Sequence, residues 1–220
     1  MNRIGALIWK DVLIEARSRQ FIGAMLAFTL IVIVTLNFAF DLIREQREAN
    51  GAGALWIAIL FAGLIGIGRS IAVERDRGTL DGLILSPIDG GSLFLGKFGA
   101  ALLSIVVVEA IALPVFAALY DLPALDPLVI GIVLAGSIGL AGLGTLFSAV
   151  TSGIRSREVL LPLLLFPMLA PLVIAAVKGT HVALVGDPVA AQVNWSGLLA
   201  GFDAIFLAAA YLLFGAVLED

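Results

Sequence analysis

The chain has 220 residues, of which 61% are hydrophobic and only 14% are charged, and its mean hydropathy is +1.11. So little polar surface cannot cover a water-soluble globule, which indicates a polytopic membrane protein. The formal net charge of −4 leaves no basic face for nucleic acid, and the lack of cysteine excludes disulfides, thiolate metal sites and thiol catalysis.

Residues 1–20 have helical character but too short an apolar stretch to cross a bilayer. Arg3, Lys10 and Arg17 recur every seven residues and share one helical face. The apolar residues on another face are Ile8, Trp9, Val12, Leu13 and Ala16. This pattern predicts an interfacial amphipathic helix on the inner membrane surface. It fits two roles equally well, an insertion anchor or a helix that helps to seat a cytoplasmic partner.

Six apolar segments follow and make residues 21–218 an all-α transmembrane domain. Each segment can cross about 30 Å of hydrocarbon and is continuously apolar, which favours helices over a barrel. No cleavage pattern follows the first segment, so we expect it to be retained as a span. The predicted spans are Phe21–Phe40, Gly51–Gly68, Phe98–Tyr120, Leu128–Val150, Val159–Val177 and Trp195–Leu218.

Basic residues are distributed unevenly between the two sides of this predicted bundle. One side holds ten Lys and Arg residues, in the N-terminal segment and the second and fourth loops, and the other side holds three. Basic residues in short loops stay in the cytoplasm during insertion, so both termini are predicted to be cytoplasmic. Trp56, Tyr120 and Trp195 then fall at the outer ends of their spans, where amphipathic rings are expected at headgroup level.

The loop between the second and third spans, residues 74–97, reads ERDRGTLDGLILSPIDGGSLFLGK and is predicted to be cytoplasmic. After Gly78, three apolar residues recur at helical spacing, an acid lies on another face, and a Ser-Pro pair ends the turn. These residues are Leu80, Leu83, Ile84, Asp81, Ser86 and Pro87. The pattern predicts a short amphipathic helix that acts as a lever, since a subunit that moves it must move both attached spans. An ordinary surface loop is the alternative.

Within this loop, Gly91 to Lys97 matches the first seven positions of the phosphate-binding pattern G-x-x-x-x-G-K. Phe98 stands where Ser or Thr must coordinate Mg²⁺, and no buried strand precedes the segment. We therefore expect no nucleotide site, so that any ATP is hydrolysed by another chain. His181, the single histidine, falls in a predicted outer loop and fits either an axial haem ligand or an ordinary solvated residue. We predict no enzyme, no resident cofactor and no metal site.

The fourth span is rich in small residues that allow close helix packing in lipid. Gly131, Ala135 and Gly139 form one stripe, and the flanking glycines are Gly136, Gly142 and Gly144. The sequence leaves open whether the packed neighbour lies in the same chain or in a second copy.

The fifth span contains Pro162, Pro167 and Pro171, each of which removes a backbone donor. We expect this helix to be kinked or broken, either as a fixed structural feature or as a moving gate.

Two acids, Glu109 and Asp203, lie within apolar runs without a basic residue at the same depth. A charged carboxylate is costly in hydrocarbon, so we expect Glu109 to be protonated and hydrogen-bonded to a neighbouring helix. The acids fit two roles, polar contacts between helices or proton transfer.

The loop resembles the equivalent loop of the membrane subunits of ABC-2-type ABC transporters, which carries an acidic-basic pair, Gly-Thr-Leu-acid, a Leu-rich turn, Ser/Thr-Pro and Gly-Lys. The matching positions are Glu74, Arg75, Gly78, Thr79, Leu80, Asp81, Leu83, Ser86, Pro87, Gly96 and Lys97. Arg77 lies between them. The short length, the lack of a large extracellular domain and the Pro-rich fifth span make the whole chain similar to the CcmB family, the haem exporter protein B subunits of cytochrome c maturation.

This resemblance implies a homodimeric permease in the bacterial inner membrane, bound to a CcmA-like ATPase. It also implies CcmC-like and CcmD-like membrane subunits and, indirectly, a CcmE-like haem chaperone. The loop residues from Glu74 to Pro87 would couple ATP hydrolysis to haem export or to release of the haem-loaded chaperone. Two other functions fit the sequence, an ABC-2 permease for another amphiphile such as a lipid-linked glycan or drug, and a proton-coupled carrier that uses Glu109 and Asp203. An assembly scaffold without transport is a further alternative.

Overall fold

The structure, a computed structural model, describes residues 3–18, 20–39, 44–76, 78, 88–154, 156–186 and 192–219. Within these residues the chain forms seven helices and no strand. They are α1 (Arg3–Ser18), α2 (Gln20–Ala39), α3 (Arg44–Asp76), α4 (Gly90–Tyr120), α5 (Pro127–Thr151), α6 (Arg157–Val185) and α7 (Trp195–Glu219). Six of them, α2 to α7, are long and apolar enough to cross a membrane. The predicted all-α polytopic membrane protein with six spanning helices is confirmed.

The helix ends are set by short polar side chains and glycine. The Asp89 carboxylate accepts hydrogen bonds from the Ser92 backbone N–H at 2.9 Å and the Ser92 hydroxyl at 2.7 Å, which caps α4. Asp126 caps α5 in the same way and accepts from the Leu128 N–H at 2.8 Å. Gly186 ends α6 with φ of 72°, a left-handed conformation that favours glycine.

Three helices extend beyond the predicted spans. Helix α3 covers Arg44–Asp76 instead of 51–68, α4 begins at Gly90 and not at Phe98, and α6 reaches Val185. A hydropathy pattern detects only the apolar part of a helix, whereas the helix itself continues until a cap or a turn ends it. Parts of the predicted loop 74–97 therefore belong to α3 and α4.

Helix α5 is the central element and packs against α3, α4, α6 and α7. Its glycines allow this because other helices lie where a side chain would be. A Cβ at Gly136 would lie 2.1 Å from Cη2 of Trp56, and one at Gly144 would lie 2.6 Å from Cδ1 of Ile67. A Cβ at Gly142 would lie 2.4 Å from Cδ2 of Leu207. The neighbours of α5 at these glycines belong to the same chain.

The predicted packing stripe of α5 is only partly correct. Gly139 makes a close contact, since a Cβ there would lie 2.2 Å from Cδ1 of Leu172. Gly131 has nothing within 4 Å of its Cβ position and is exposed, and Ala135 is half-buried. The flanking glycines make more of the close contacts, because the neighbouring helices surround α5 on several sides.

Two of the aromatic residues assigned to the headgroup level are instead buried within the bundle. Trp56 has 0% of its surface exposed, and its Nε1–H donates to the Thr180 hydroxyl at 2.9 Å. Tyr120 is 1% exposed, and its hydroxyl donates to the Ile33 carbonyl at 3.3 Å. Their polar atoms are satisfied by other helices, so neither ring faces lipid headgroups and neither supports the predicted orientation.

Helix α6 runs without a break through Pro162, Pro167 and Pro171. The helix is therefore not broken at the prolines, and a kink there stays a prediction. Proline removes one hydrogen-bond donor without ending a membrane helix when packing holds the rest of the segment. Leu165 and Leu169, which lie between the prolines, are fully buried and hold α6 against the bundle.

Candidate functional site

The loop that carries the predicted coupling residues connects the end of α3 to the start of α4. Glu74 and Arg75 lie in the last turn of α3, where the structure describes the helix backbone. Gly78 is an exposed turn residue with φ of 66°, a value that favours glycine directly after a helix end. The remaining coupling residues lie outside the described part of the chain. These are Arg77, Thr79, Leu80, Asp81, Leu83, Ser86 and Pro87.

We call the end of the bundle at which α3 ends and α4 begins the loop end. At this end the first turn of α4 packs closely against the last turns of α7. A Cβ on Gly90 would lie 2.4 Å from the Cα atom of Gly215, and one on Gly91 would lie 2.4 Å from Cζ of Tyr211. The P-loop-like segment is therefore helical and packed against protein, which leaves no open loop to surround a phosphate.

A separate apolar cluster fills the loop end and joins four helices. Its buried members are Leu7, Leu93, Phe94, Ala149, Ala210 and Phe214. They come from α1, α4, α5 and α7. The α1 helix thus contributes to the core at the same end as the loop.

Helix α1 packs on the first half of α4 at three consecutive points. A Cβ on Gly96 would lie 2.8 Å from Cβ of Leu7, and one on Gly99 would lie 2.7 Å from Cδ1 of Ile8. Between them, Nζ of Lys97 donates to Oδ2 of Asp11 at 2.8 Å. The Gly-Lys pair, which the sequence assigned to the family loop motif, therefore forms the contact surface for α1.

A second acid of α1 fixes the corner between α1 and α2. One carboxylate oxygen of Glu15 accepts hydrogen bonds from the backbone N–H groups of Phe21 at 3.0 Å and Ile22 at 2.7 Å. These groups lie in the first turn of α2, where backbone donors lack partners within the helix. Glu15 thus caps the start of α2 although it belongs to α1.

The faces of α1 differ from those predicted. Ile8 is turned toward α4, while Trp9 is 62% exposed and Leu13 is 36% exposed. The acids Asp11 and Glu15 are turned inward because their partners lie on α4 and α2. Of the predicted apolar face, Ile8 therefore contacts the bundle while Trp9 and Leu13 are exposed, and the interfacial position of α1 stays a prediction.

The two acids within the spans are buried on different sides of α5. Glu109 of α4 is 3% exposed and accepts a hydrogen bond from the Ser137 hydroxyl of α5. Asp203 of α7 is 8% exposed and lies against Gly139, where a Cβ would come within 2.4 Å of its Oδ1. Oε2 of Glu109 and Oδ1 of Asp203 have no hydrogen-bond partner among the described residues. The hydrogen bond expected between Glu109 and a neighbouring helix is present.

His181 lies in helix α6 and not in a loop, because α6 extends beyond the predicted span. It is half-buried, and its Nδ1 is buried without a partner in the described part of the chain. The expectation of a solvated loop residue is therefore wrong. Across the described ranges, no group of three His, Cys, Asp or Glu residues could hold a metal ion.

Comparison with known proteins identifies the family. The family described as CcmB protein matches residues 2–219 of the chain. The chain belongs to the CcmB family. It is 32% identical over 170 residues to "Heme exporter protein B" of Rhodobacter capsulatus, an alignment that covers 77% of this chain and 78% of the relative. It is 30% identical over 190 residues to the protein of the same name in Paracoccus denitrificans, covering 86% and 87%.

A third relative extends the CcmB similarity along almost the whole chain. "Heme exporter protein B" of Pseudomonas aeruginosa is 27% identical over 207 residues, covering 94% of this chain and 92% of the relative. Family membership thus includes the helices that form the loop end as well as the remaining spans.

The sequence pattern alone missed Asp11, Glu15 and Ser137, whose partners are distant in the chain. For the Asp11–Lys97 contact, the sequence offered only two opposite charges, an acid on α1 and a lysine just before a predicted span.

Proposed function

We propose that this protein is the membrane subunit of an ABC transporter complex that serves haem delivery in cytochrome c maturation. The observation that carries this proposal is the CcmB match over residues 2–219, together with relatives named as haem exporters. In this role the chain is not an enzyme. A separate CcmA-like subunit hydrolyses ATP, and two copies of the present chain form the permease with CcmC-like and CcmD-like partners.

The geometry of the loop end supports a route for the mechanical step. The connection between Asp76 and Gly90 is tied to a spanning helix on each side, and the start of α4 is packed on α7 and α1. A subunit that displaces the loop therefore acts directly on α3 and α4. We assign ATPase coupling to Glu74, Arg75, Arg77, Gly78, Thr79, Leu80, Asp81, Leu83, Ser86 and Pro87. The result of this motion is haem export or release of a haem-loaded, CcmE-like chaperone.

The proposal places the chain in the bacterial inner membrane with both termini in the cytoplasm. It is tested by purification of the tagged protein from its native membrane, followed by identification of bound chains and pigment. An ATPase together with haem-handling subunits is the expected result. An ATPase alone would favour a permease for another amphiphile, and no ATPase would refute the coupling role. Mapping of residue 80 to the far side of the membrane would also refute it.

Charge reversal gives a second test of the coupling loop. We expect Arg75→Glu with Arg77→Glu to weaken association with the ATPase, because the change replaces two positive charges of the predicted coupling loop with negative ones. The matched control is Arg44→Glu with Arg47→Glu, which makes the same change at the other end of the α3 segment. Equal ATPase recovery and equal cytochrome c production in both variants would refute the assignment.

A further inference from the structure

We propose that the Asp11–Lys97 pair joins α1 to the start of α4 so that the two move as one body. This inference rests on the proposed function, because it concerns how motion at the coupling loop spreads through the permease. It makes Lys97 and Asp11 positioning residues and gives α1 a role as a link between the first and third spans.

The contact between α1 and α4 is built to hold one register. Leu7 and Ile8 sit over Gly96 and Gly99, so that a side chain at Gly96 would meet Cβ of Leu7 and one at Gly99 would meet the end of the Ile8 side chain. On α4 the ion pair's Lys97 lies between the two glycines, and on α1 its Asp11 lies one helical turn along from Leu7. Sliding or rolling of α1 would separate Nζ from Oδ2 and move both apolar side chains off their glycines.

Burial makes the ion pair difficult to open. The Lys97 side chain is 3% exposed and that of Asp11 is 13% exposed. Separating a buried pair leaves charges without the solvation that water would give them, which is far more costly than separating an exposed pair. The buried pair adds to the register that Leu7 and Ile8 set on their glycines, because Nζ and Oδ2 meet in only one arrangement of the two helices.

The other end of α1 is fixed to a different span. Glu15 caps α2 through the N–H groups of Phe21 and Ile22, and only residue 19 separates the two helices. Helix α1 is therefore attached to α2 by the chain and the cap, and to α4 by the ion pair and glycine contacts. A displacement of the loop end of α4 is then passed through α1 to α2.

Charge variants of the purified complex separate positioning from simple stability. We expect Asp11→Asn to retain the ATPase subunit but to lower holocytochrome output per ATP hydrolysed by at least about fivefold, the lower range of coupling effects. The charge-swapped double variant, Asp11→Lys with Lys97→Glu, should recover most of the output that Asp11→Asn loses. Less protein in the membrane with unchanged output per complex would show a stability role only and would overturn the proposal.

A cysteine pair tests whether the helices stay together during turnover. The native chain has no cysteine, so Leu7→Cys with Gly96→Cys introduces the only thiols. The Cβ positions lie 2.8 Å apart, and a disulfide needs about 3.8 Å, so the helices must open by about 1 Å. We expect the oxidised complex to retain its output. Loss of output that a reductant restores would show that α1 must leave α4, and this would overturn the proposal.

Different results would contradict the proposed function and the role of α1. If the wild-type protein is recovered without an ATPase, the proposed function fails and output cannot be ascribed to coupling. If the wild type binds its ATPase but the cross-linked pair is inactive, only the inference about α1 fails.

Discussion

The contact between Gly136 and Trp56 provides a strong test of the packing at the bundle centre. Trp56 is fully buried, and a Cβ on Gly136 would lie 2.1, 2.8 and 3.0 Å from three atoms of its ring. The ring cannot withdraw freely, since its Nε1–H is bonded to Thr180 at 2.9 Å. Gly136→Ala must therefore displace a packed ring or shift α5 against α3.

Gly131→Ala is the matched control, because it makes the same change on the same helix where nothing lies within 4 Å. Both variants gain the same helix propensity, so their difference isolates the steric term. Overpacking costs about 1–3 kcal/mol. Each kcal/mol corresponds to about 2–4 °C in Tm for a chain of this size. We expect Gly136→Ala to melt about 2–12 °C below Gly131→Ala in the same detergent.

The assay is thermal unfolding of the purified protein, followed by tryptophan fluorescence and by loss of the monodisperse species. Fluorescence adds a second readout, because a displaced Trp56 ring changes its part of the emission, to which Trp9 and Trp195 also contribute. Thr180→Ser, which keeps the hydroxyl, should leave the Tm close to that of the wild type. Equal Tm values for the Gly136 and Gly131 variants would refute the close contact between α3 and α5.

Three further substitutions test the polar contacts. Glu109→Gln should keep the bond to Ser137 and leave cytochrome c production unchanged, whereas a loss of activity in the Gln variant would indicate proton transfer. Asp89→Ala should lower the free energy of unfolding by about 1 kcal/mol through loss of the α4 cap, measured by denaturant titration, with Asp89→Asn as the control that keeps an acceptor. Glu15→Ala should increase hydrogen exchange at Phe21 and Ile22, and unchanged exchange there would refute the α2 cap.

The existence and number of the spans could be predicted from the sequence because continuous apolar runs have one physical solution in lipid. Their ends could not, since Asp89 and Gly186 set helix ends beyond the apolar runs. For the same reason His181 was assigned to a loop although α6 continues past it. Hydropathy identifies the segment that can face lipid, whereas the capping residues set where the helix begins and ends.

Side-chain direction was less predictable than helix position. Gly131 and Gly136 look alike in the sequence, yet only Gly136 faces a ring, because the rotation of α5 depends on four surrounding helices. Trp56 likewise appeared suited to a membrane interface until Thr180, 124 residues away, proved to be its partner. Contacts between residues so far apart leave no local pattern.

The candidate site shows the same limit. Lys97 could be recognised as part of a loop motif, but its partner Asp11 lies 86 residues earlier, on a helix whose bundle-facing side the sequence pattern did not identify. Basic residues that recur every seven positions predicted how α1 lies on a membrane. The contacts of Asp11 and Glu15 instead show which side of α1 faces the bundle. Gly96 and Lys97, which the sequence analysis gave as part of the family loop motif, are thus the residues of α4 that contact α1.

The arrangement around α5 favours a drive from the loop end over a proton path between the buried acids. Glu109 meets Ser137 and Asp203 meets Gly139, and positions two apart on a helix point about 200° away from each other. A proton moving between the acids would have to pass around a helix whose flanks are filled by Trp56, Leu172 and other packed side chains. At the loop end, by contrast, the first half of α4 carries the contact with α1, and its first turn packs on α7. Work applied there reaches α3 and α4 directly, whereas the acids share no such connection.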